Sequence, residues 1–273
     1  MTGLTNAQVH EYQENGVLFP LKALDETERT SVLDAIARID QQHEHLRRGH
    51  LIHRSHVISK TLADVCRNPK ILDKVESVLG PNIYVWASNF FLKEPKSPAY
   101  VGWHQDAAYW GLEPADIVTA WVAIMPSTVE AGCMRVVPGT HKGEIVSHTE
   151  TYAADNILSR GQEIPVEVDP SAIVDVVLAP GEMSLHHVKI AHNSEPNRSN
   201  HRRIGFAVRY VAAHVRQMSG KKDQAMLVRG TDKWGYFEPE EGAKGEFLPE
   251  DLARHAGTWQ GSLLAKKPIA KAS

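Results

Sequence analysis

The stretch "RIGFAVRYVAA" at residues 203–213 decides the fold class, because its side chains alternate in character with a period of two. One set is small or charged and comprises Arg203, Gly205, Ala207 and Arg209. The other set is bulky and mostly apolar and comprises Ile204, Phe206, Val208 and Tyr210. The alternation predicts a β-strand with one apolar face, and the small residues on the other face leave room for a bound molecule.

Short strand-like segments of similar composition follow one another from Ile83 onward. They are rich in β-branched and aromatic residues, and proline or glycine separates them. The runs read "IYVWASNFFL", "TAWVAIM", "MRVVPG", "DVVLAPG" and "EMSLHHV". Many short strands joined by such turns are typical of a β-sandwich or a β-barrel. The sequence therefore predicts a β core that includes residues 203–213.

The N-terminal part of the chain predicts helices instead. Thr5 can cap a helix over "TNAQVHEYQENG" that ends at Gly16. Asp25 or Thr27 can cap a second helix over "DETERTSVLDAIARIDQQ". A third helix fits "PKILDKVESVLG", with Pro69 near its start and apolar residues at helical spacing.

These patterns predict a single domain over residues 1–273, mainly β with a helical N-terminal layer. The helical segment extends to about residue 82, and the β core spans about 83–213. A C-terminal extension of loop and short helix then spans about 214–273. Residues 139–175 contain few apolar runs, so we interpret them as a long insertion that can act as a lid.

Composition narrows the class of protein. The chain has 42% apolar residues and a formal net charge of -3 with both signs interspersed, which argues against a nucleic-acid-binding surface. No apolar run approaches the roughly 18 residues of a membrane span, and the N-terminus lacks the features of a signal peptide. Cys66 and Cys133 are too few for a disulfide scaffold and are expected in the core. We predict a cytoplasmic protein that contacts neither membrane nor nucleic acid.

A candidate metal site joins two distant segments. His104 and Asp106 lie in "VGWHQDAAYWGL", and alternation along a strand would point them the same way. His192, in "KIAHNSEPNRSNHRR", would complete a set of two histidines and one carboxylate, which leaves three positions of an Fe(II) ion open. His186 and His187 are nearby alternatives to His192. His192 is favoured because it leads into a polar loop, and the other two are expected in the core or hydrogen-bonded to a site group.

Arg203 suggests a cosubstrate. A guanidinium group binds a carboxylate bidentately, which a lysine ammonium group does not. When 2-oxoglutarate chelates iron through its 2-oxo and C1-carboxylate oxygens, its C5 carboxylate needs a fixed cation, and Arg203 can supply it. Arg209 lies on the same face of the strand, where it either forms a structural ion pair or binds substrate.

The flanking blocks resemble the phytanoyl-CoA dioxygenase family of Fe(II)- and 2-oxoglutarate-dependent oxygenases. In chain order they read "WHQDAAYW", "DIVTAWVAI", "EAGCMRVVPGTHKG" and "APGEMSLHHVKIAHNSEPNRSNHRRIGFAVRYV". "YQENGVLFPLKALDETE" and "ILDKVESVLGPNI" resemble the family's helical prelude, so the resemblance covers most of residues 8–213. It implies a double-stranded β-helix, a cupin-like jelly roll, with iron inside its mouth.

The resemblance also implies roles for individual residues. His104, Asp106 and His192 are the implied iron ligands, and Arg203 is the implied partner of the C5 carboxylate. A further set is implied to lie near the cosubstrate and comprises Gln105, Trp121, Ser194, Asn89 and Phe91. His141, near a turn, is interpreted either as structural or as a residue that supports a metal ligand. Halogenases in the family have a small residue in place of the carboxylate, so Asp106 favours hydroxylation over halogenation.

The function implied is oxidation of an unactivated C–H bond by Fe(II), O2 and 2-oxoglutarate, with succinate and CO2 as coproducts. Two rival functions use the same fold. One is a cupin-like isomerase or hydrolase that uses zinc or manganese without 2-oxoglutarate, and the other is a non-catalytic binding protein. Arg203 argues against the first rival, and the complete set of ligands argues against the second.

The substrate is expected to be a small molecule, and Arg209 favours one with an anionic group. Tyr109 and Asn89 are further candidates for substrate contact. Aromatic residues around the metal motif are expected mostly to pack, with one or two walling the site: Trp103, Tyr109, Trp110 and Trp121. A histidine cluster between two predicted helices is interpreted as a polar loop, in which His53 or His56 could border the entrance: His43, His45, His50, His53 and His56. Residues 227–240 could cover the site or form a subunit contact.

Overall fold

Two β-sheets that face each other form the centre of the computed structural model, which describes residues 3–158, 161–164 and 169–261. Within these ranges the strands of three or more residues are β1 (Val17–Lys22), β2 (Leu51–His53), β3 (Ile83–Lys93), β4 (Val101–His104), β5 (Ile117–Ala123), β6 (Met134–Val137), β7 (Val174–Val176), β8 (Glu182–His187), β9 (Ala191–Ser194), β10 (Arg203–Ala212) and β11 (Gln224–Arg229). The α-helices are α1 (Asn6–Asn15), α2 (Glu26–Gln42), α3 (Lys60–Cys66), α4 (Pro69–Leu79), α5 (Ala107–Trp110) and α6 (Pro249–Gly261).

The larger sheet has the strand order β1-β8-β5-β10-β3-β11, and β2 pairs with β3 beside β11. The smaller sheet has the order β7-β6-β9-β4. All the pairs between these strands are antiparallel. Side chains of both sheets meet in one apolar cluster between them, including Trp121, Ala207 and Val136. The predicted jelly roll is confirmed.

Strand β10 is buried along its whole length because it lies between β5 and β3 and is covered on both faces. Its apolar residues pack into the main core with helices α2, α3 and α4, as the alternation predicted: Ile204, Phe206, Val208 and Tyr210. The opposite face, with Arg203, Ala207 and Arg209, lines the space between the sheets. The larger sheet therefore separates a helical layer from the interior between the sheets, which contains both arginines.

The helix ends follow the predicted caps. Thr5 and Asp25 each form a capping box with the residue three positions later, which decides between Asp25 and Thr27 for the second helix. Gly16 ends α1 in the left-handed conformation, where a side chain would also meet His141. Pro69 begins α4 after the Asn68 cap.

The sequence did not predict every element. Helix α3 was missed because its seven residues are too few to display a clear apolar period. The first 82 residues also contribute β1 and β2 to the larger sheet, so they are not a purely helical layer. The C-terminal extension contributes β11 to the same sheet, so the sheet continues beyond residue 213. None of the helices in the described ranges is long and apolar enough to cross a membrane.

A buried carboxylate ties the C-terminal extension to the rest of the fold. Glu240 forms an ion pair with Arg54 and accepts from His56 Nε2 at 2.8 Å, and His56 Nδ1 lies 2.8 Å from Ser88 Oγ on β3. Burial alone would raise the pKa of Glu240, but His56 and the charge of Arg54 outweigh it and lower the pKa to about 2. His56 is thus part of a structural network and does not border an entrance.

We expect Glu240→Gln to lower the free energy of unfolding by about 3 kcal/mol at neutral pH, because it leaves Arg54 without its counter-charge. The carboxylate contribution is fully present above the unfolded pKa of 4.5 and is lost as the pH falls through about 2. Urea denaturation across this pH range measures it. Glu241→Gln is the matched control because Glu241 forms an exposed pair with Lys244, and equal losses in both variants would contradict the buried network.

Candidate metal centre

Three ligand atoms converge at the mouth between the sheets. His104 and His192 are cross-strand partners on β4 and β9, and their ring centroids are 4.1 Å apart. One donor atom from each of His104, Asp106 and His192 lies within 4.8 Å of the others, and all three residues are largely enclosed. The predicted ligand set is thus brought together, close enough for a single ion between them.

Backbone carbonyls orient both histidine rings. His104 Nδ1 lies 2.9 Å from the Gly102 carbonyl, and His192 Nδ1 lies 3.0 Å from the Ile190 carbonyl. Each Nδ1 therefore carries the proton, which leaves Nε2 of each ring as the ligand atom. The geometry favours two neutral imidazole donors at fixed angles.

Asp106 reaches the site by a route that strand alternation does not describe. Strand β4 ends at His104, and Asp106 has helical backbone angles (φ -56°, ψ -38°) as it opens the short helix α5. Its Oδ1 lies 3.6 Å from His104 Nε2. The expectation that His104 and Asp106 share one face of a strand is wrong, and a tight turn brings the carboxylate back to the histidine.

The electrostatics of the site suit a divalent cation. Burial would raise the pKa of Asp106, but the adjacent imidazoles of His104 and His192 and the charge of Arg209 outweigh it and hold that pKa well below its usual range. Burial lowers the pKa of His192 well below its usual value. An ionised carboxylate and unprotonated imidazole are the forms that bind a metal ion, so the donors present fit iron.

A narrow cavity of about 60 Å³ extends from the ligands toward Arg203. The Nη1 of Arg203 donates to the Gly132 carbonyl at 2.7 Å, while its buried Nε has no hydrogen-bond partner in the described structure. Its guanidinium lies 5.3 Å from the Trp121 ring centroid. Burial lowers the pKa of Arg203 to about 10, so it is charged at neutral pH. A buried cation with an unused donor fits an anionic ligand.

Ser194 lines the same cavity and is held by Lys93, a fully buried residue that sequence reasoning missed. Lys93 Nζ donates to Ser194 Oγ at 2.7 Å and also to the backbone carbonyls of Ser194 and Glu195. Burial and the charge of Arg203 lower the pKa of Lys93, but the three acceptor oxygens around Nζ match the three N–H groups of the ammonium form. Because Lys93 donates to Ser194 Oγ, the hydroxyl hydrogen is directed elsewhere and is available to the cavity.

A wide cavity of about 310 Å³ lies on the other side of the ligands. It shares five lining residues with the narrow cavity: His104, Asp106, Phe91, Leu158 and Arg209. The other side chains that line it are aromatic, basic, amide-bearing or aliphatic: Trp86, Trp110, Tyr109, Arg48, His53, Asn89, Gln162, Leu51, Ala87 and Ile157. The predicted substrate candidates Tyr109, Asn89 and Arg209 all face this cavity.

Gln105 lies outside both cavities, contrary to its implied place beside the cosubstrate. Its amide nitrogen donates to the Lys189 carbonyl at 2.8 Å, and its amide oxygen accepts from the Val146 N–H at 2.8 Å. Its own N–H donates to His148 Nε2 at 2.9 Å. Gln105 therefore fastens part of the 139–175 insertion to the metal motif.

Further residues of the insertion line the cavities: Ile157, Leu158 and Gln162. A lid function for the insertion stays a prediction, and residues 159–160 and 165–168 lie outside the described structure. Residues 227–240 line neither cavity; within them Tyr236 and Phe237 pack with Tyr84 on the larger sheet.

The other predicted histidines are placed as follows. His186 lies inside, with its ring centroid 5.3 Å from that of His192. The His187 ring is tilted by 55° against that of His141, with the two centroids 5.2 Å apart. His53 borders the wide cavity and His56 does not. Sequence reasoning missed Thr119, although it precedes Trp121 by two residues on β5 and so shares its face. Arg48 and Trp86 were also missed, because neither lies near the metal motif in sequence.

A model of the phytanoyl-CoA dioxygenase family matches residues 12–205, more than half of the chain. The chain belongs to the phytanoyl-CoA dioxygenase family. This places it among the Fe(II)- and 2-oxoglutarate-dependent oxygenases, in agreement with the donors described above. The family match ends within β10 and includes the three candidate metal ligands and Arg203.

Curated relatives match part of their length. The probable alpha-ketoglutarate-dependent hypophosphite dioxygenase of Stutzerimonas stutzeri is 31% identical over 167 residues, which are 60% of this chain and 58% of that protein. The human peroxisomal phytanoyl-CoA dioxygenase is 30% identical over 158 residues, which are 56% of this chain and 47% of that protein. The chain thus spans about half the length of the curated family members that it matches.

Solved structures match nearly the whole chain. The apo form of the non-heme monooxygenase ThoJ has a TM-score of 0.82 at 31% identity, covering 93% of this chain and 95% of that one. The epimerase SnoN in complex with Fe3+, alpha ketoglutarate and nogalamycin RO has a TM-score of 0.66 at 20% identity, covering 86% and 95%. The second likeness shows a shared fold only.

Gly205 is the contact point between β10 and Trp121. The Cβ of an alanine there would lie 1.9 Å from Trp121 Cζ2, so the indole would have to move. We expect Gly205→Ala to lower the free energy of unfolding by about 2 kcal/mol through overpacking. The room that Gly205 was expected to leave for a ligand is in fact occupied by this ring.

Thermal unfolding and tryptophan fluorescence of Gly205→Ala measure this effect. Gly143→Ala is the matched control, because the Cβ there meets only the Thr140 carbonyl at an ordinary 3.5 Å. If both variants unfold at the wild-type temperature, the Trp121 contact has no energetic importance.

Proposed function

We propose that this protein is an Fe(II)- and 2-oxoglutarate-dependent dioxygenase that hydroxylates an unactivated C–H bond of a small molecule, with succinate and CO2 as coproducts. The observation that carries this proposal is Arg203, whose buried and partly unsatisfied guanidinium faces the cavity beside the ligands. A cupin-like isomerase or hydrolase has no use for a buried cation at that place. The cytoplasmic location stays a prediction.

Iron binding and cosubstrate binding would take place at opposite ends of the narrow cavity. His104, Asp106 and His192 would hold the iron, and bound iron with 2-oxoglutarate and O2 supplies the oxidising chemistry. Arg203 would bind the distal carboxylate of 2-oxoglutarate, and the Ser194 hydroxyl would donate to it as well. The Trp121 indole lies against the guanidinium and limits the directions from which that carboxylate is reached.

Apolar side chains would keep water from the reacting centre. The narrow cavity is walled by Phe91, Val101, Met134 and Leu158 in addition to its polar residues. Exclusion of water strengthens the electrostatic contacts inside and protects reactive species from side reactions. Leu158 belongs to the insertion, which supports a role for that segment in closing the site.

Hydroxylation is favoured over halogenation because Asp106 occupies the third ligand position, where a halogenase would have a small residue. Structures with the same fold include an epimerase, so the outcome must be read from the product. A hydroxylase adds one oxygen atom to the substrate, an epimerase leaves its mass unchanged, and a cyclase removes two hydrogen atoms.

The test uses purified protein with Fe(II), 2-oxoglutarate and isotopically labelled O2. We expect formation of succinate that needs both iron and O2, and a substrate that gains one labelled oxygen from a screened panel. Succinate formation with a product of unchanged mass would support epimerisation instead. No 2-oxoglutarate turnover by iron-loaded protein, together with conversion of a substrate under zinc or manganese alone, would favour the cupin-like rival.

A further inference from the structure

We propose that the wide cavity takes a small molecule with a carboxylate or similar anionic group, which Arg209 holds, and a flat or apolar body, which Trp86 and Trp110 hold. This inference rests on the proposed function, because it assigns the substrate class of that same iron site. It extends the proposed function by naming the recognition element and by placing the oxidised carbon close to the anionic group.

Arg209 is a buried cation without an ion-pair partner. Only 8% of the residue is exposed, and no carboxylate in the described ranges lies within salt-bridge distance of it. With the Asn89 amide oxygen turned toward it, Nη1 donates to that oxygen at 2.6 Å, while Nε has no hydrogen-bond partner. A guanidinium buried in this way is costly unless an anion joins it, so the side chain is prepared for a ligand.

Once a metal ion is bound, no negative charge among the described residues that line the wide cavity remains to neutralise the positive charge of Arg209. Asp106 is the sole carboxylate among the residues that line this cavity, and the ion would take up its charge. Burial, followed by the charge of Arg209, lowers the pKa of His53 to about 4, so His53 is neutral at neutral pH. The lining therefore carries net positive charge.

Hydrogen bonds hold Trp86 and Trp110, the two tryptophans that line the wide cavity, in place. The Trp86 and Trp110 rings lie 5.1 Å apart at an angle of 43°, and the Arg209 guanidinium lies 4.9 Å from the Trp110 centroid. Asp223 accepts from Trp86 Nε1 and from Gln217, and Gln217 also donates to the Trp110 carbonyl at 2.9 Å. A preorganised aromatic surface beside a guanidinium suits a molecule with an apolar part next to its anionic group.

The position of Arg209 limits where the oxidation occurs. Arg209 lines both cavities together with His104 and Asp106, so an anion that it binds lies next to the iron site. Arg203 is six residues away on the same strand, about 20 Å along β10, and serves the opposite end of the interior. The C–H bond presented to the iron is therefore within a few bonds of the anionic group.

The experiment compares acids with their own methyl esters, which differ mainly in charge. The probes are 3-phenylpropanoate and 3-methylbutanoate with their esters, added to protein loaded with Mn(II) and 2-oxoglutarate. We expect at least one acid to raise the melting temperature and to bind at least tenfold more tightly than its ester. With Fe(II) and O2, the same acid is expected to accelerate succinate formation and to be hydroxylated near its carboxylate.

Two substitutions connect the preference to Arg209. We expect Arg209→Gln to abolish the difference in affinity between acid and ester, and Arg209→Lys to restore part of it. In both variants the affinity for 2-oxoglutarate is expected to change less than twofold. Anaerobic Fe(II) charge-transfer absorption measures that affinity. Arg202→Gln is the matched control, because Arg202 pairs with Asp40 outside both cavities. Circular dichroism verifies that each variant is folded.

The proposal is overturned if no acid binds more tightly than its ester, or if Arg209→Gln weakens 2-oxoglutarate binding as much as acid binding. The second result would assign Arg209 to the cosubstrate. Either failure can be told apart from failure of the proposed function, because succinate formation without added substrate tests the iron site independently. Iron- and O2-dependent succinate formation with no preference for acids would leave the oxygenase intact and refute only the substrate class.

Discussion

Asp106→Ala is expected to abolish iron binding at the site and 2-oxoglutarate turnover together. Asp106 supplies the sole carboxylate among the three ligands, and it is the donor whose charge offsets that of a divalent ion. Loss of a group that merely supports a ligand lowers metal affinity or activity about 10- to 100-fold, so loss of a ligand is expected to lower affinity by at least about 100-fold. Removal of the carboxylate also leaves Arg209 without the nearest negative charge.

Iron affinity from equilibrium dialysis and succinate formation measure this prediction. Asp116→Ala is the matched control, because Asp116 pairs at the surface with His214 at 2.6 Å. Wild-type turnover in Asp106→Ala would mean that the convergence of these three side chains is not the metal site. Loss of turnover in the Asp116 variant would point to a general effect of removing a carboxylate.

Arg203→Met is expected to weaken 2-oxoglutarate binding by about 100-fold while leaving iron binding unchanged. The substitution keeps much of the apolar stem but removes a charge-assisted, bidentate donor, an effect of about 3 kcal/mol. The neutral side chain also relieves the cost of burying an uncompensated cation, so the variant is expected to fold. A 2-oxo acid without the distal carboxylate, such as 2-oxobutanoate, should lose little affinity and become competitive with 2-oxoglutarate.

Anaerobic titration of the Fe(II) protein with each 2-oxo acid gives the affinities. The control is the adjacent Arg202→Met, whose guanidinium lies in a surface network with Asp40 and Glu94. An unchanged preference for 2-oxoglutarate in Arg203→Met would refute the assignment of the distal carboxylate to this residue.

Sequence periodicity predicted the parts of the fold in which a side-chain pattern is compatible with one local structure only. The alternation in β10 places its apolar set in the helical core and its two arginines in the interior, because strand side chains must point to opposite faces. Helix caps were predictable for a similar reason, since Thr5 and Asp25 satisfy backbone N–H groups that the helix cannot.

The candidate site was predictable where chemistry restricts residue type and was not predictable where tertiary packing decides. The three ligands and Arg203 follow from what iron and a dicarboxylate require. Gln105 was misplaced because an amide beside a ligand can point toward the cavity or away from it. Here its oxygen accepts from Val146 of the insertion and its nitrogen donates to the Lys189 carbonyl. Arg48 and Trp86 come from segments far from the motif, so only the folded chain brings them to the wide cavity.

Strand β10 also sets how the interior can change between related proteins. A pleated strand advances about 7 Å for every two residues, and a shift of one residue turns a side chain to the opposite face. Inserting a single residue between Arg203 and Arg209 would turn one guanidinium toward the helical core, unless a β-bulge absorbed the extra residue. Without a bulge, the distance between the two cations therefore changes in steps of two residues. Adaptation to a longer or shorter molecule is far easier in the insertion and in the segment around Arg48, which border the same space without this restriction.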